Sequence, residues 1–493
     1  MNILTPKTLL FFLFLLLLLT ACGPRESAEE AAASPRPNIL WIVADDLGTD
    51  LGCYGVEAVR TPNLDRLAEQ GVLYENLFTS TAVCSPSRSG LITGMYPVST
   101  GCHQHRTQFK DSLPDPVVPV PELFRKAGYW VSNASEKDFD KFGKTDYNFI
   151  HDSEQLYDGP NWRGRAEGQP FFAQVQIFYP HRPFVADSTH PVDPAEVNIP
   201  PYYPDHPLTR KDWALYLETV QHVDQAVGDV LQRLEADGLA DNTILFFFGD
   251  QGRPHVRAKQ FLYDPGTNTP LIIRWPGGRE AGTTSERLVS NIDIAAASLQ
   301  LADIDIPDWM QGRDFLAPEA PERQYVFTMR DRRDETVDRL RAVRSQNFKY
   351  IRNFYPERSW AQFNAYKKRR YPVLTLMEVM HERGELSSAQ ARFFAPERPA
   401  EELYDLRRDP YEINNLSGES AYADTLIRMR QVLDDWLAEA DQGVYPEPQK
   451  EIDHAADMMA ENYRKWMEER GLSPDISDEA YLQWWMEKLG VEK

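Results

Sequence analysis

Asn38–Val43 (NILWIV), Phe171–Phe178 (FFAQVQIF) and Thr243–Phe248 (TILFFF) are short, almost unbroken apolar runs rich in aromatic and β-branched residues. This is the pattern of strands buried on both faces. Each run ends in polar groups: Ala44-Asp45-Asp46 after the first, Tyr179-Pro180-His181 after the second, Gly249-Asp250-Gln251 after the third. Between them the pattern becomes helical. Thr61-Pro62 opens a helix that stops at Gly71, and Leu208–Ala236 carries Trp213, Leu217, Val220, Val223, Val227, Leu231 and Leu234 before Asp237-Gly238 ends it. Strand–helix alternation predicts an α/β fold with a large, mostly parallel sheet flanked by helices. The carboxyl ends of its strands would share one crevice. After about Pro318 the chain turns to charged strands and turns, such as Leu340–Asn353 (LRAVRSQNFKYIRN) and Glu402–Leu406 (ELYDL). This predicts a smaller C-terminal α+β domain with an antiparallel sheet. From Lys450 an acidic, Met- and Trp-rich stretch reads as helical, with Trp466, Trp484 and Trp485 on buried faces and no evident role. The expected segments are 37–317 (the α/β domain), 318–445 and 446–493.

The beginning of the chain stands outside this pattern. Lys7 followed by Leu9–Leu19 has the charge and length of a secretory signal and is too short to span a bilayer. Leu19-Thr20-Ala21-Cys22 resembles the bacterial lipobox, which implies a leader over 1–22, a lipid on Cys22, and export to the periplasm, outer membrane or cell surface with no membrane contact beyond that anchor. Gly23–Arg36, rich in Ala, Glu, Ser and Pro, reads as a disordered tether. The 42% apolar content suits a globular remainder. A formal charge of −22 argues against nucleic acid as a partner, and requires local Arg and Lys wherever an anionic substrate binds.

Cys84-Ser85-Pro86-Ser87-Arg88-Ser89-Gly90-Leu91-Ile92-Thr93-Gly94 resembles the signature of the type I sulfatases, with Ile92 where that family often has Leu. The resemblance implies the sulfatase, alkaline-phosphatase-like fold. It also implies a Cys84 oxidised to formylglycine (3-oxoalanine) by a formylglycine-generating maturation enzyme. The hydrated aldehyde is a diol, with one hydroxyl to attack sulfur and the other to expel sulfate later. Pro86 suits a first helical turn, so Cys84 would lie at a helix N-terminus, where free N–H groups favour an anion. Arg88 would neutralise the diol oxygen. Asp45 and Asp46 look like the family's first pair of metal ligands and Asp250-Gln251 like the second, with Gln251 departing from the usual Asn or His. With the Cys84 oxygen they make an all-oxygen site that suits Ca²⁺ better than Zn²⁺. Lys259 matches the lysine that reaches sulfate, and His181 the histidine facing the leaving-group oxygen.

A second active-site lysine has two candidates. Spacing from Ala127-Gly128-Tyr129 favours Lys137, and the local sequence Gly143-Lys144-Thr145 favours Lys144. The histidine that usually accompanies it is absent, which leaves His103 or His105, beside Arg106, to cover its role. With Cys22 and Cys84 committed, Cys53 and Cys102 are expected as reduced thiols. The resemblance leans towards heparan N-sulfatases and related polysaccharide sulfatases, so a sulfated carbohydrate is the expected substrate. Outside the core motifs the dense basic stretches are Arg330–Arg352 and Lys367–Arg370, and Arg332 and Arg333 are expected to face the crevice. The alternatives are a phosphatase or phosphonate monoester hydrolase on the same fold, or a non-catalytic lipoprotein that binds sulfated glycans.

Overall fold

The computed structural model describes residues 36–492, so the expected leader, Cys22 and tether lie outside the described residues. The first apolar run becomes β1 (Asn38–Ala44), every residue of it buried. Alternate side chains feed two cores: Leu40 and Ile42 pack on one side of the sheet, Ile39, Trp41 and Val43 on the other. Its companions are β2 (Val72–Phe78), β3 (Trp130–Ser135), β4 (Phe171–Ile177), β5 (Thr243–Gly249), β6 (Asn268–Arg274), β7 (Thr283–Ser285) and β8 (Val289–Ser290). They form one sheet in the order β3-β4-β1-β5-β6-β2-β7, with β8 also on β2. Pairing is parallel from β3 to β5 and antiparallel on both sides of β6.

Helices α1 (Pro62–Gln70), α2 (Cys84–Thr93), α3 (Pro207–Ala236) and α4 (Asn291–Leu301) cover this sheet. The charged C-terminal stretch folds as β9 (Val326–Arg330), β10 (Leu340–Arg344), β11 (Phe348–Asn353) and β12 (Glu401–Asp405), an antiparallel sheet in the order β12-β11-β10-β9. Beyond β11 come α5 (Ala365–Arg370) and α6 (Pro372–Glu382), and after β12 come α7 (Ala423–Ala440), α8 (Gln449–Glu468) and α9 (Asp478–Leu489). α7 buries Leu426, Met429, Leu433 and Trp436 against Met329, Val343, Tyr350 and Leu403 of the second sheet. α9 sets Leu482 and Met486 on Leu376 and Val379 of α6. The second sheet meets the first beside the Cys84 segment, where Met329 N donates to Ser80 O at 2.8 Å. Pro37–Lys493 is one compact unit holding both sheets. Among the described residues no helix is long and apolar enough to cross a membrane.

Candidate active site

Strand register assembles the acidic groups. Ala44 of β1 pairs with Gly249 of β5 and with Ile177 of β4, so the three strands end level and Asp45, Asp250 and the 178–181 turn emerge together. Asp46 has φ 66°, a left-handed backbone uncommon outside glycine, and in it the Asp46 N–H donates to Asp250 Oδ1 at 3.0 Å. Cys84 is the first residue of α2, and Gly94, at φ 65°, ends that helix. Asp45, Asp46 and Cys84 each offer a ligand atom within 4.8 Å of the others. The Gln251 amide nitrogen faces Asp46 Oδ1 and lies 3.3 Å from Cys84 Sγ. Its oxygen, like Asp45 Oδ1, is buried without a hydrogen-bond partner among the described residues. A half-turn of the amide aims that oxygen at the carboxylates instead. The donors therefore fit a hard, oxygen-seeking cation.

Three cations balance the three carboxylates. Lys259 Nζ lies 2.7 Å from both Asp46 oxygens and 3.6 Å from Cys84 Sγ. Arg88 donates from Nε to Asp250 at 2.7 Å and from Nη1 to Gln176 Oε1 at 2.6 Å, while its Nη2 lies 3.9 Å from Asp45. Lys144 Nζ reaches Asp45 Oδ2 at 2.7 Å. Burial disfavours charge on both lysines, yet Asp46 and Asp45 more than offset it and hold them above the usual lysine range. Burial, aided by Asp45, pushes the Asp250 carboxyl above the usual carboxylate range. Burial, again with Asp45, pushes the Cys84 thiol up to about 12, so as a plain thiol it stays protonated at neutral pH and is a poor nucleophile. The His181 ring donates from Nδ1 to Arg182 O at 2.7 Å. That leaves its Nε2 3.9 Å from Asp46 and 3.4 Å from the Tyr366 hydroxyl, with burial and then Lys259 lowering its pKa.

Of the two candidate lysines, Lys144 is the one that lies in this cluster. Gly143 packs so tightly against β3 that a Cβ would meet Ala134 O at 2.3 Å, and it exchanges hydrogen bonds with Asn133, which aims the next residue at Asp45. Lys137, the candidate favoured by spacing, lies instead 4.4 Å over the exposed Phe178 ring.

Above Cys84 opens a crevice of about 290 Å³ whose walls include His105, Arg106, His181, Lys259, Arg332, Asp334 and Tyr366. His105 Nδ1 pairs with Asp334 at 2.9 Å. Arg106, at φ 51°, forks onto Asp146 at 3.1 and 2.9 Å. His103 is off this wall, buried beside Tyr445 with neither ring nitrogen hydrogen-bonded among the described residues. The expectation that Arg332 and Arg333 both face the crevice needs correction. Arg332 lines it but is neutralised by Glu447, at 2.5 and 3.1 Å. Arg333 turns inward and donates to the carbonyls of His103 and Arg332. The Lys367–Arg370 stretch is likewise absorbed: Lys367 donates to Val256 O and Lys259 O, Lys368 pairs with Glu378 and Asp478, and Arg369 lies 3.5 Å from Glu469. Cys53, Cys84 and Cys102 are free.

Sequence reasoning missed Asp334 and Tyr366, and also Met458, Met459 and Asn462 of α8 on the crevice wall, while Trp466, expected on a buried face, is half-buried and lines the crevice beside them. The four-residue spacing of Met458, Asn462 and Trp466 marks one helical face and was the available signal.

Residues 37–304 match the family model described as Sulfatase, and residues 254–373 the one described as N-sulphoglucosamine sulphohydrolase, C-terminal. The ulvan-active sulfatase of Formosa agariphila is 36% identical over 467 residues, 84% of this chain and 76% of that one. The N-sulphoglucosamine sulphohydrolase of Homo sapiens is 28% identical over 462 residues, 82% of this chain and 90% of that one. A protein solved in complex with its substrate D-glucosamine-2-N,6-O-disulfate superposes with a TM-score of 0.59 at 20% identity, over 83% of this chain and 99% of that one.

Proposed function

Because the chain belongs to the sulfatase family, whose members hydrolyse sulfuric esters, we propose that it removes sulfate or sulfamate groups from a sulfated carbohydrate through a nucleophile made from Cys84. Calcium would be held by Asp45, Asp46, Asp250, Gln251 and the residue-84 oxygen. Hydrated formylglycine supplies a geminal diol for attack on sulfur and later release of sulfate, and calcium supplies Lewis-acid charge beside the anion. The chain's own groups do the rest. Lys259 and Lys144 neutralise the sulfate oxygens from two sides, and the free N–H groups of the first turn of α2 favour the same anion. Arg88, locked to Asp250 and Gln176, fixes one positive charge next to the nucleophile. His181, its Nδ1 tied to a carbonyl, points Nε2 towards the site and in its protonated form donates to the departing oxygen. Burial lowers the pKa of that imidazole, and an arriving sulfate acts in the opposite sense.

The observation that carries this reading is the convergence of Cys84, at a helix start, on Asp45 and Asp46 with Lys259 touching both. A carbohydrate substrate is supported by relatives named for ulvan and N-sulphoglucosamine and by the fold-level neighbour holding a sulfated glucosamine. Export and a lipid on Cys22 belong to the same proposal and rest on the sequence alone.

The test is sulfate release from a panel of sulfated oligosaccharides, with phosphate monoesters alongside, by protein made together with a formylglycine-generating enzyme. The peptide bearing residue 84 is expected about 18 Da below its thiol mass. Cys84→Ala should lose essentially all turnover. A plain thiol in active enzyme overturns the nucleophile, and preferred hydrolysis of phosphate monoesters overturns the reaction class.

A further inference from the structure

Every group assigned to sulfate or its metal lies upstream of α5, yet one wall of the crevice comes from α8, far along the chain. Met458, Asn462 and Trp466 are four residues apart and share one stripe of that helix. Met458 is 40% exposed. Trp466 is half-buried, with the Arg369 guanidinium 4.3 Å from its ring. Side chains this large and apolar, left facing an aqueous crevice, fit a ligand better than they fit water.

The wall is firmly placed. Glu451 of α8 is buried and accepts from the backbone N–H groups of Gln108 and Phe109 at 3.1 and 3.2 Å. Glu447, just before the helix, grips Arg332, and Arg470, just beyond it, donates to Arg369 O at 2.6 Å.

The crevice is thus two-sided. Arg106, paired with Asp146, Lys259, paired with Asp46, and the His181 imidazole make one side polar, while Met458, Met459 and Trp466 make the other apolar, with the Asn462 amide among them. A pyranose that carries sulfate has the same division, with charged and hydroxyl substituents at its edge and C–H groups across its face. C–H faces pack on aromatic rings, and an amide can both donate to and accept from a ring hydroxyl.

We propose that Trp466, with Met458 and Asn462, forms the subsite that holds the pyranose ring bearing the scissile sulfate, so that the C-terminal helix selects the sugar while the upstream residues handle sulfur. This rests on the carbohydrate sulfatase reading above. The test compares wild type, Trp466→Ala and Trp466→Phe on one sulfated oligosaccharide that the wild type cleaves. Inorganic sulfate serves as competitive inhibitor to report the anion site separately. Trp466→Ala is expected to raise KM about tenfold, with the inhibition constant for inorganic sulfate within a factor of two of wild type. Trp466→Phe, which keeps an aromatic face, should recover most of the loss. Unchanged KM in Trp466→Ala, or an equal loss in the inhibition constant for sulfate, overturns the subsite. If the wild type releases sulfate from no sugar in the panel, the sulfatase reading fails instead. Calorimetric binding of the uncleaved oligosaccharide to wild type and Trp466→Ala then decides the subsite independently, equal affinities overturning it.

Discussion

His255 sits in an aromatic cage, with ring centroids 4.3 Å from Trp213, 4.9 Å from Tyr216 and 6.0 Å from Phe184, and neither of its nitrogens has a hydrogen-bond partner among the described residues. Burial, then the charges of Arg182 and Arg253, hold its pKa well below the ordinary 6.5. Burial lowers His103 in the same way and takes His105 to about 4. In all three the folded pKa lies below the unfolded one. Below pH 6.5 the unfolded chain therefore takes up protons that the folded chain refuses, and stability falls as the pH drops from 6.5 towards 4. We predict that Tm declines across that window, and that His255→Leu lessens the decline. The same substitution should raise stability at pH 7 by about 1 kcal/mol, because it removes two unpaired buried polar atoms at similar volume. Thermal melts of the two proteins at pH 7, 6, 5 and 4 check this; parallel curves would refute the assignment of His255 as one of the groups responsible.

Among the elements, α8 meets the 104–109 loop through Glu451, which accepts from the N–H groups of Gln108 and Phe109, and through Lys450, which lies 4.5 Å over the Phe109 ring. Glu451→Ala leaves two backbone donors with no carboxylate and should cost about 1–3 kcal/mol locally. The expected result is faster hydrogen exchange over Gln449–Glu468 with the central strands β1 and β5 unchanged; slowed or unaltered exchange there would show the helix to be held by other means. The contrast between these elements explains what could be read from the sequence. β1, β4 and β5 were legible because a strand buried on both faces must be continuously apolar, and their level ends follow from parallel register, which delivered Asp45, Asp250 and His181 to one place. The Cys84 helix start was legible from Pro86 and the motif around it. The partners of the basic stretches were not. Arg332 meets Glu447 and Lys368 meets Asp478 across more than a hundred positions, and no local periodicity encodes such a pairing. The choice between Lys137 and Lys144 turned on a backbone approach at Gly143 that spacing cannot register.

For the whole molecule, the central fact of charge is a set of three buried carboxylates balanced by three buried or half-buried cations, inside a chain of formal charge −22. A divalent cation that binds only the folded state adds RT ln(1 + [L]/Kd) to stability, about 2.7 kcal/mol at a hundredfold excess over Kd. We predict that Ca²⁺ raises the Tm of the formylglycine-bearing protein, that a chelator lowers it, and that Zn²⁺ restores it less well, because oxygens dominate the donor set. Scanning calorimetry reads this without any substrate, and a Tm indifferent to Ca²⁺ and chelator would remove calcium from the assignment.

Cys84 is 1% exposed, at the floor of a crevice whose roof is the part of the chain made near the end of translation. Under the proposed function, the protein that modifies Cys84 has to meet it before the fold closes over it, so the active fraction of a preparation would be set by a race between modification and folding, with chains that fold first left as thiols.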